Sequence, residues 1–482
     1  MPYPSALDRL AQLARETPLA PALVSDAYTF SYQQLQQKVL MVAANLRALG
    51  LQPGERVAIC LPNSEAYIVL LLAILRSGVV AVPISTRFPH SQAEHMLNNI
   101  GVRKLIIADP QNAPNENWSL KAFAVNEIFA EIGDGELKTA LPAFDPASDA
   151  TVLFTSGSSG QPKAVLHSLH SHDLSAIGSN ANLSFGPEDR WLLSLPLYHV
   201  GGLGILFRAM HGGGAIVFSD NTDLAAAIAS HRITHASLVA TQLYRIMQKS
   251  GSLPRLKTLK AVLLGGSAIP SSLLRKATEH NLPVFTTYGS TEMASQVTTT
   301  PPDCPLEKLF TSGKPLAHRQ VCISPGGEIL VRGRTRFKGY LTPTGLLEPF
   351  DAEGWFATGD LGGFDADGYL HMTGRKDNMF ISGGENIQPE EIEQALCQID
   401  GVLQAVVVPV ADDEFGQLPV AFVRMQAGMQ IDSEAIQRCL AAKIARFKIP
   451  RHIFAWPFPE TQADMKINRL EFTARAVELM GK

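Results

Sequence analysis

Short apolar runs alternate with segments of helical periodicity over most of the first 370 residues. Arg56–Leu61 is predicted to be a buried strand, and Asn63 or Ser64 is predicted to cap the helix that follows it. Gly78 stands where the end of that helix favours a left-handed residue, and Val79–Ile84 supplies the next strand. Further strands are predicted at Lys104–Ala108, Ala150–Phe154, Ala215–Phe218, His235–Val239 and Lys260–Leu264. Repeated strand–helix–strand units predict an α/β fold with mostly parallel sheets covered by helices.

The pattern changes near residue 375, where a smaller unit is predicted to begin. Gln388–Glu391 begins a helix with proline and two acids in its first turn, as the helix dipole favours. Apolar residues then recur at helical spacing on one face of that helix: Ile392, Ala395, Leu396 and Ile399. The other predicted elements are strands at Ala405–Val410, Val420–Met425 and His452–Trp456 and a helix at Ser433–Ala445. We therefore predict a large N-terminal domain at residues 1–376 and a small α+β C-terminal domain at residues 377–482.

Composition narrows the class of protein. Hydrophobic residues make up 46% of the 482 residues, and 41 basic against 45 acidic residues give a net charge of −4, which disfavours a nucleic-acid partner. The longest uncharged apolar run, Ala66–Leu75, is far short of the roughly 20 residues that cross a bilayer. Five scattered cysteines suit reduced thiols, and no His or Cys spacing suggests zinc. We expect a cytoplasmic protein without membrane insertion, and the sequence is compatible with a homo-oligomer.

A segment rich in glycine and hydroxyl side chains directly follows the strand that ends at Phe154. It reads Thr155-Ser156-Gly157-Ser158-Ser159-Gly160-Gln161-Pro162-Lys163. Exposed backbone N–H groups, hydroxyls and a lysine are suited to a polyphosphate. The segment is not a Walker loop, because Pro162 stands where that motif requires glycine before the lysine. The alternative is that the segment is a flexible surface loop. The high density of glycine and hydroxyl residues directly after a buried strand disfavours this alternative.

Four further motifs follow in order: Tyr288–Glu292, Thr358–Asp360, Gly374–Asp377 with Ser382–Ile387, and Met465–Arg469. Together with the phosphate loop, they resemble the signature motifs of the superfamily of acyl- and aryl-CoA synthetases, nonribosomal-peptide adenylation enzymes and luciferases. The resemblance covers essentially the whole chain. It implies an ATP-dependent enzyme that converts a carboxylic acid to an acyl-adenylate and then to a coenzyme A thioester. The implied cofactors and co-substrates are ATP, Mg²⁺ and coenzyme A, and the C-terminal domain is expected to be mobile.

The resemblance also implies roles for individual residues. The catalytic residues would be Lys466, Thr155, Glu292 and His199, of which Glu292 and Thr155 would also hold Mg²⁺. The ATP-binding residues would be Ser156, Gly157, Ser158, Ser159, Gly160, Lys163, Gly265, Gly266, Ser267, Tyr288, Gly289, Thr291, Asp360 and Arg375. Asp377 would be the hinge, and Gly383 and Gly384 would let the backbone approach coenzyme A. Such chemistry needs positioning and charge neutralisation, which these residue types supply.

Three segments near the expected acid pocket resemble one branch of this superfamily, whose substrate carries an aromatic ring, a keto group and two carboxylates: Trp191–Val200, Thr234–Val239 and Leu263–Pro270. If one carboxylate is activated, the second needs a partner. Arg208, in an apolar stretch, is the natural candidate because arginine binds carboxylates well. Ser237 would assist, and His199 would line the pocket. Alternatively, Arg208 pairs with a structural acid or reaches solvent, and His199 is a structural histidine.

Three other functions remain open at this point. The chain could be a different aryl- or acyl-CoA ligase with the same machinery, which only the substrate-pocket residues would distinguish. A stand-alone adenylation enzyme that loads a carrier protein is a second alternative. A non-catalytic nucleotide-binding protein is a remote third, because the residues that resemble the catalytic motifs are intact.

Overall fold

The computed structural model describes residues 3–108, 118–130, 145–155, 162–266, 269–426, 428–458 and 468–481. The helices are α1 (Ala6–Glu16), α2 (Tyr32–Ala48), α3 (Glu65–Arg76), α4 (His90–Asn99), α5 (Val125–Phe129), α6 (Leu169–Leu183), α7 (Val200–Gly212), α8 (Leu224–Ser230), α9 (Ala240–Gln248), α10 (Ser271–Glu279), α11 (Leu306–Leu309), α12 (Pro389–Leu396), α13 (Ser433–Ala441) and α14 (Arg469–Leu479). Short 3₁₀ helices lie at Leu253–Leu256, Thr291–Met293, Lys376–Asn378 and Arg446–Lys448.

The strands belong to five sheets. In chain order they are β1 (Pro21–Val24), β2 (Thr29–Ser31), β3 (Arg56–Cys60), β4 (Val80–Pro83), β5 (Lys104–Ile107), β6 (Lys121–Ala124), β7 (Asp149–Thr155), β8 (Lys163–Ser168), β9 (Arg190–Leu192), β10 (Ala215–Val217), β11 (His235–Leu238), β12 (Ala261–Leu264), β13 (Val284–Ser290), β14 (Ser295–Thr299), β15 (Lys314–Pro315), β16 (Arg319–Ile323), β17 (Glu328–Gly333), β18 (Gly339–Thr342), β19 (Gly345–Leu347), β20 (Phe356–Phe364), β21 (Leu370–Arg375), β22 (Phe380–Ser382), β23 (Glu385–Ile387), β24 (Val402–Asp412), β25 (Gly416–Met425) and β26 (His452–Ala455).

Two large sheets form most of the N-terminal part. One has the order β15-β14-β13-β12-β11-β9-β10-β1-β2 and is parallel from β13 to β1. The other has the order β19-β18-β8-β7-β4-β3-β5-β6 and is parallel from β7 to β6. Antiparallel pairs complete both sheets at their edges. The predicted α/β class with mostly parallel sheets is confirmed.

The core between these sheets is built around helices that are apolar on every side. In α3, every residue from Tyr67 to Leu75 is buried, which requires neighbours all round the helix. The N-cap of α3 is Ser64, whose hydroxyl accepts a hydrogen bond from the Tyr67 N–H at 3.1 Å. Gly78 has φ +72° after the helix end, as predicted. The sequence predicted α3 and its ends because the capping serine and the terminal glycine lie within about one helical turn of the helix ends that they determine.

An antiparallel sheet of order β16-β17-β20-β21 is the feature that the alternation of strands and helices did not predict. The pairs β16–β17 and β20–β21 are hairpins, whereas the chain between β17 and β20 contains β18 and β19 of another sheet. Much of β20 is only half-buried, so no strong apolar run marks it. The sheet carries Asp360 on β20 and Arg375 at the end of β21, opposite each other in register. It therefore positions two predicted site residues.

The last hundred residues have apolar cores of their own. The sheet β24-β25-β26 packs on α12 and α14, and its two core clusters contain only residues from Phe380 onward. The predicted helix Ser433–Ala445 is wrong at its end, because α13 stops at Ala441 and a turn and a 3₁₀ helix follow before β26. The predicted domain boundary falls within the 3₁₀ helix Lys376–Asn378. In the described ranges, no helix has both the length and the apolar character needed to cross a membrane.

Candidate active site

A large cavity opens at the carboxyl ends of β7, β12 and β13 and extends to the C-terminal part of the chain. Its volume is about 1890 Å³, and its wall includes Thr155, Lys163, Tyr288, Glu292, Asp360 and Arg375. Gly266, Gly289, Thr291 and Asp377 also line it. Pockets for one small ligand are usually about 300–1,000 Å³, so this cavity has room for more than one. The structure thus brings together predicted residues that are more than 200 positions apart in sequence.

Asp360 is the centre of a hydrogen-bonded cluster at this wall. Its Oδ1 accepts from Arg375 Nη1 at 2.8 Å, and its Oδ2 accepts from the Tyr288 hydroxyl at 2.6 Å. Burial raises the pKa of the Asp360 carboxyl, although Arg375 and Tyr288 act in the opposite direction. The pKa of Arg375 is raised, because the attraction of Asp360 and Asp377 outweighs the effect of burial. The cluster is a fixed acceptor of the kind that a pair of ribose hydroxyls requires.

Glu292 is held by residues from a distant hairpin. Its Oε1 accepts a hydrogen bond from the Tyr340 hydroxyl at 2.9 Å, and its backbone carbonyl accepts from the Phe337 N–H at 2.8 Å. The ring of Tyr340 also lies under Lys163, whose Nζ is 5.1 Å from the ring centroid. Sequence reasoning missed Tyr340, because its only signal is an aromatic residue in the short strand β18.

His167 is a second residue that sequence reasoning missed. Its Nε2 donates to the carbonyl oxygen of Thr291 at 2.7 Å, and its side chain is completely buried. Burial lowers the pKa of His167 to about 4, so the ring is neutral at physiological pH. Behind it, His172 shares a hydrogen bond of 2.8 Å with Thr151 and stacks on Phe207. A neutral histidine therefore fixes the backbone of the motif that contains Glu292.

The described part of the phosphate loop is the hairpin base. Thr155 is the last residue of β7 and is paired in register with Lys163, the first residue of β8. Thr155 is half-buried, and Lys163 is exposed toward the cavity. The predicted residues Ser156, Gly157, Ser158, Ser159 and Gly160 lie outside the described residues.

Glycines let the backbone of this wall pack closely. A Cβ on Gly265 would lie 2.6 Å from Cγ2 of Thr287, and a Cβ on Gly289 would collide with the carbonyl of Ser295. Gly266 has φ +85°, which favours glycine. Ser267, the next predicted residue, lies outside the described residues.

Arg208 is buried to 1% exposure in α7, and no carboxylate of the described residues pairs with it. Its Nη2 donates to the Ser295 hydroxyl at 3.1 Å and to Gln296 Oε1 at 2.9 Å. Its Nε and Nη1 have no hydrogen-bond partner within the described ranges. Burial lowers the pKa of Arg208 only to about 10, so the guanidinium keeps its charge at neutral pH. The alternative that Arg208 pairs with a structural acid finds no such acid in the described part of the chain.

A second buried arginine lies nearby. Arg319 donates through Nε to the Gln296 carbonyl at 2.5 Å and through Nη2 to the Ser175 hydroxyl at 2.8 Å. Burial, together with the charge of Arg208, lowers the pKa of Arg319 to about 9. Gln296 thus accepts from one arginine with its side chain and from the other with its backbone. Two buried positive charges without an acidic partner among the described residues make this region attractive to an anion.

Ser237 and Arg208 both contact the side chain of Trp191. The Nε1–H of Trp191 donates to the Ser237 hydroxyl at 3.2 Å, and Cζ of Arg208 lies 5.0 Å from the centroid of the Trp191 ring. The strand β14 links this group to the cavity, because Ser295 and Gln296 pair in register with Ser290 and Gly289 of the cavity wall. Arg208 therefore contacts the strand next to the predicted nucleotide-binding motif.

Three other predicted residues, His199, Gly383 and Gly384, are placed apart from the cavity wall. His199 is the N-cap residue of α7, and its ring contacts Tyr198. Gly383 and Gly384 form the turn between β22 and β23, with φ +57° and +86°. Asp377 is exposed in a 3₁₀ helix and accepts from Arg375 Nη2 at 3.3 Å. Lys466 lies outside the described residues.

A magnesium ion fits the donors at Glu292. No cluster of three or more His, Cys, Asp or Glu residues is present within the described ranges. Mg²⁺ usually binds phosphate oxygens with only one or two carboxylates from the protein and keeps several waters. Glu292 has one carboxylate oxygen that Tyr340 does not engage, and Thr155 offers a hydroxyl on the same wall. These residues suit a metal that arrives with a polyphosphate.

This chain belongs to the family of AMP-binding enzymes, which are adenylate-forming. The model of the AMP-binding enzyme family matches residues 10–341, and that of the AMP-binding enzyme C-terminal domain matches residues 391–464. The superfamily predicted from the sequence motifs is thereby confirmed.

Its similar relatives include acid–CoA ligases. The 2-succinylbenzoate–CoA ligase of Bacillus cereus is 32% identical over 456 residues, which cover 92% of this chain and 93% of that protein. The enzyme of the same name from a Listeria monocytogenes strain is 31% identical over 474 residues, with 97% and 98% coverage.

Solved structures agree with these relatives. The o-succinylbenzoate CoA synthetase (MenE) of Bacillus subtilis, in complex with the acyl-adenylate intermediate OSB-AMP, has a TM-score of 0.84 and 29% identity and covers 96% of this chain and 97% of its own. A variant of Escherichia coli MenE with bound OSB-AMS has a TM-score of 0.84 and 32% identity, with 97% and 98% coverage.

Proposed function

We propose that this chain is an ATP-dependent 2-succinylbenzoate–CoA ligase of menaquinone biosynthesis. It would convert 2-succinylbenzoate, ATP and coenzyme A to 2-succinylbenzoyl-CoA, AMP and diphosphate in the cytoplasm. The observation that carries the substrate is Arg208, a charged, buried guanidinium whose Nε and Nη1 have no hydrogen-bond partner among the described residues and which contacts the strand next to the nucleotide-binding motif. A second carboxylate of the substrate would satisfy these donors, as charge-assisted hydrogen bonds are strong in a buried site.

In the first step, a carboxylate oxygen of the acid attacks the α-phosphorus of ATP, the bond to the bridging oxygen breaks, and diphosphate leaves. The chain positions the reactants and neutralises their negative charge. Asp360, fixed by Tyr288 and Arg375, would accept hydrogen bonds from the ribose. Lys163 and Lys466 would approach the phosphates, and Glu292 and Thr155 would hold Mg²⁺, which supplies charge neutralisation on the leaving phosphates.

In the second step, the thiol of coenzyme A attacks the carbonyl carbon of the adenylate, and AMP leaves. We propose that the domain at residues 377–482 rotates about Asp377 between the two steps and that Gly383 and Gly384 then face the pantetheine arm. Gly383 and Gly384 lie away from the cavity wall in this orientation, so they would reach the coenzyme A site only after such a rotation. The order of events needs no covalent enzyme intermediate.

The acid pocket selects a diacid by charge. A long-chain fatty acid has no group to pair with Arg208, and a buried charge without its counter-ion costs several kcal/mol in order-of-magnitude terms. Ser237 and His199 would complete the pocket beside it. The same charge would favour 2-succinylbenzoate over benzoate.

The test is an assay of purified protein with ATP, Mg²⁺, coenzyme A and a panel of acids. AMP, diphosphate and thioester are measured by mass spectrometry for wild type and for Arg208→Met. The matched control is Arg190→Met, because Arg190 is half-buried on β9 and donates to the His231 carbonyl rather than to the pocket. We expect thioester from 2-succinylbenzoate far in excess of benzoate, with only Arg208→Met impaired. Thioester formed only from another acid would leave a CoA ligase with a different substrate.

A further inference from the structure

Trp191 contacts two of the predicted acid-binding side chains, Arg208 and Ser237. It lies on β9 and is completely buried. One face of its ring is 5.0 Å from Cζ of Arg208, and its Nε1–H donates to the Ser237 hydroxyl at 3.2 Å. Phe185 and His235 pack against the ring, each with a centroid separation of 5.2 Å. The indole is therefore held on several sides and cannot move independently of its neighbours.

The support that Arg208 receives is neutral throughout the described part of its surroundings. The ring of Trp191, the Ser295 hydroxyl and the Gln296 amide oxygen are its contacts, and none carries a negative charge. An aromatic face attracts a guanidinium and is worth more when both are desolvated. Unlike a carboxylate, it leaves the positive charge available to a ligand. The ring thus orients Arg208, and no described residue accepts a hydrogen bond from its Nε or Nη1.

Ser295, another support, has an unusual backbone conformation. Its φ is +112° and that of the preceding Ala294 is +53°, in the region that side chains other than glycine rarely adopt. The Ser175 hydroxyl donates to the Ala294 carbonyl at 2.6 Å, which fixes this turn. Strain retained at a position is typical of a functional constraint. The turn and the indole hold Arg208 from two different strands.

We propose that Trp191 is a positioning residue that sets the selectivity for an acid with a second carboxylate. It acts through Arg208 with its ring and through Ser237 with its N–H, so that the two side chains present one preformed carboxylate site. This inference rests on the proposed function and names the residue that orients its substrate pocket. Trp191 itself need not touch the reacting atoms.

The experiment compares Trp191→Met and Trp191→Phe with Phe123→Leu. Methionine fills apolar space without an aromatic face, and phenylalanine keeps a ring but loses the N–H donor. Phe123→Leu is the matched control, because Phe123 is a buried aromatic residue of the same apolar cluster but lies on β6 of the other large sheet. Each variant is assayed with 2-succinylbenzoate and with two analogues that lack one carboxylate, 3-benzoylpropanoate and 2-propanoylbenzoate. The analogue that wild type activates serves as the monoacid reference.

We expect Trp191→Met to lower kcat/KM for 2-succinylbenzoate by roughly 10- to 30-fold, mainly through KM, because a desolvated cation–π contact is lost. The monoacid reference should change by less than about 3-fold, since it makes no contact with Arg208. Trp191→Phe should fall between wild type and Trp191→Met. Phe123→Leu should leave the diacid preference intact. Equal losses for diacid and monoacid in Trp191→Met would mean a merely structural role and would overturn the proposal.

A double variant keeps the test decisive if Trp191→Met folds poorly. In an Arg208→Met background, Trp191→Phe should have no further effect on the ratio of diacid to monoacid turnover, because the group it positions is gone. Independent, additive losses of that ratio would contradict the inference. If wild type showed no preference for the diacid, the proposed function would be wrong. If all Trp191 variants kept the preference, only the proposed role of Trp191 would be wrong.

Discussion

At the scale of single residues, two buried arginines are expected to lower the stability of the fold and to serve substrate binding instead. Arg208 and Arg319 are almost fully buried, and neither pairs with a carboxylate of the described residues. Desolvating a charge without a counter-ion costs free energy, so such a charge is retained in a fold where it has a function, such as binding an anion. Under the proposed function, the substrate supplies the missing negative charge. The unliganded protein would therefore be less stable than its core alone suggests.

This balance leads to a prediction for Arg208→Met. Without substrate, we expect the free energy of unfolding of the variant to equal that of wild type or to be higher by up to about 1 kcal/mol, because a buried charge is replaced by apolar volume. With substrate, kcat/KM for the diacid should fall by roughly 100-fold or more, equivalent to about 3 kcal/mol. Urea unfolding and steady-state kinetics measure the two quantities. A variant that loses stability and activity together would argue for a structural Arg208.

His167 gives a prediction for the dependence of stability on pH. Burial lowers its pKa to about 4, below its ordinary value of 6.5, so the unfolded chain binds the proton more readily. Its contribution is therefore complete above about pH 6.5 and is lost as pH falls toward 4, at about 1.4 kcal/mol per pH unit. We expect His167→Gln to flatten this acid loss in urea unfolding between pH 7 and 4.5. His172, with its pKa also lowered by burial, will retain part of the slope, and an unchanged slope in His167→Gln would contradict the assignment.

At the scale of elements, strands from distant parts of the chain hold individual predicted site residues. The strand β18 brings Tyr340 to Glu292, and the hairpin of β20 and β21 brings Asp360 and Arg375 together. Register between neighbouring strands produces the second pair. The first pair forms because β18 of one large sheet packs against the 3₁₀ helix that carries Glu292. The site is therefore sensitive to substitutions that leave its own residues unchanged.

Tyr340→Phe tests the contribution of β18. The ring under Lys163 remains, but the hydroxyl that donates to Glu292 is lost. We expect the apparent affinity for Mg²⁺–ATP to fall by about 5- to 20-fold, because one hydrogen bond to a carboxylate is worth about 1.5 kcal/mol or somewhat more. The KM for the acid should change little. Isothermal titration with Mg²⁺–ATP and initial rates measure this, and Tyr369→Phe serves as a control on a tyrosine of the neighbouring hairpin.

Gly374→Ala tests the junction between β21 and α12. A Cβ there would collide with the Gln388 amide and lie 2.7 Å from Glu390 Oε2. Gln388 also donates to the Arg375 carbonyl at 2.9 Å, across the proposed hinge at Asp377. Because the added methyl disfavours this packing, we expect it to change the adenylation and thioester-forming rates by different factors. Diphosphate release and transfer from isolated adenylate measure the two steps separately, and equal effects on both would disprove a role of this contact in domain orientation.

At the scale of the whole molecule, no apolar cluster of the described residues extends across the proposed hinge. The clusters around α3, β12 and β17 end by Leu370, and the C-terminal clusters begin at Phe380. Polar contacts cross the junction, such as the hydrogen bonds from Gln388 Nε2 to the Arg375 carbonyl at 2.9 Å and from Gln394 Nε2 to the Met372 carbonyl at 3.4 Å. A polar junction allows two rigid bodies to change their relative position at low cost.

Separate cores predict separate unfolding. Scanning calorimetry should resolve two transitions, and Trp191→Phe should shift only that of the larger unit. Leu440→Ala, a change in the C-terminal core, should lower the other transition by several degrees, as expected for a cavity in a small domain. One transition that both substitutions shift equally would show that the two parts unfold as a unit.

The sequence by itself determined the α/β class, most strand and helix positions and the family, because these depend on short-range periodicity and on motifs with a fixed order. It also pointed to Arg208, since a lone arginine in an apolar stretch is conspicuous. Only the tertiary structure decided which side chains support the site: Tyr340 on Glu292, His167 on the Thr291 carbonyl, and Trp191 between Arg208 and Ser237. The partners in these contacts lie on elements that are far apart in sequence and that only the packing of the whole fold brings together, which local patterns do not encode. The antiparallel sheet of β16, β17, β20 and β21 was missed for the same reason, because its half-exposed strands are stabilised by their neighbours rather than by apolar runs of their own.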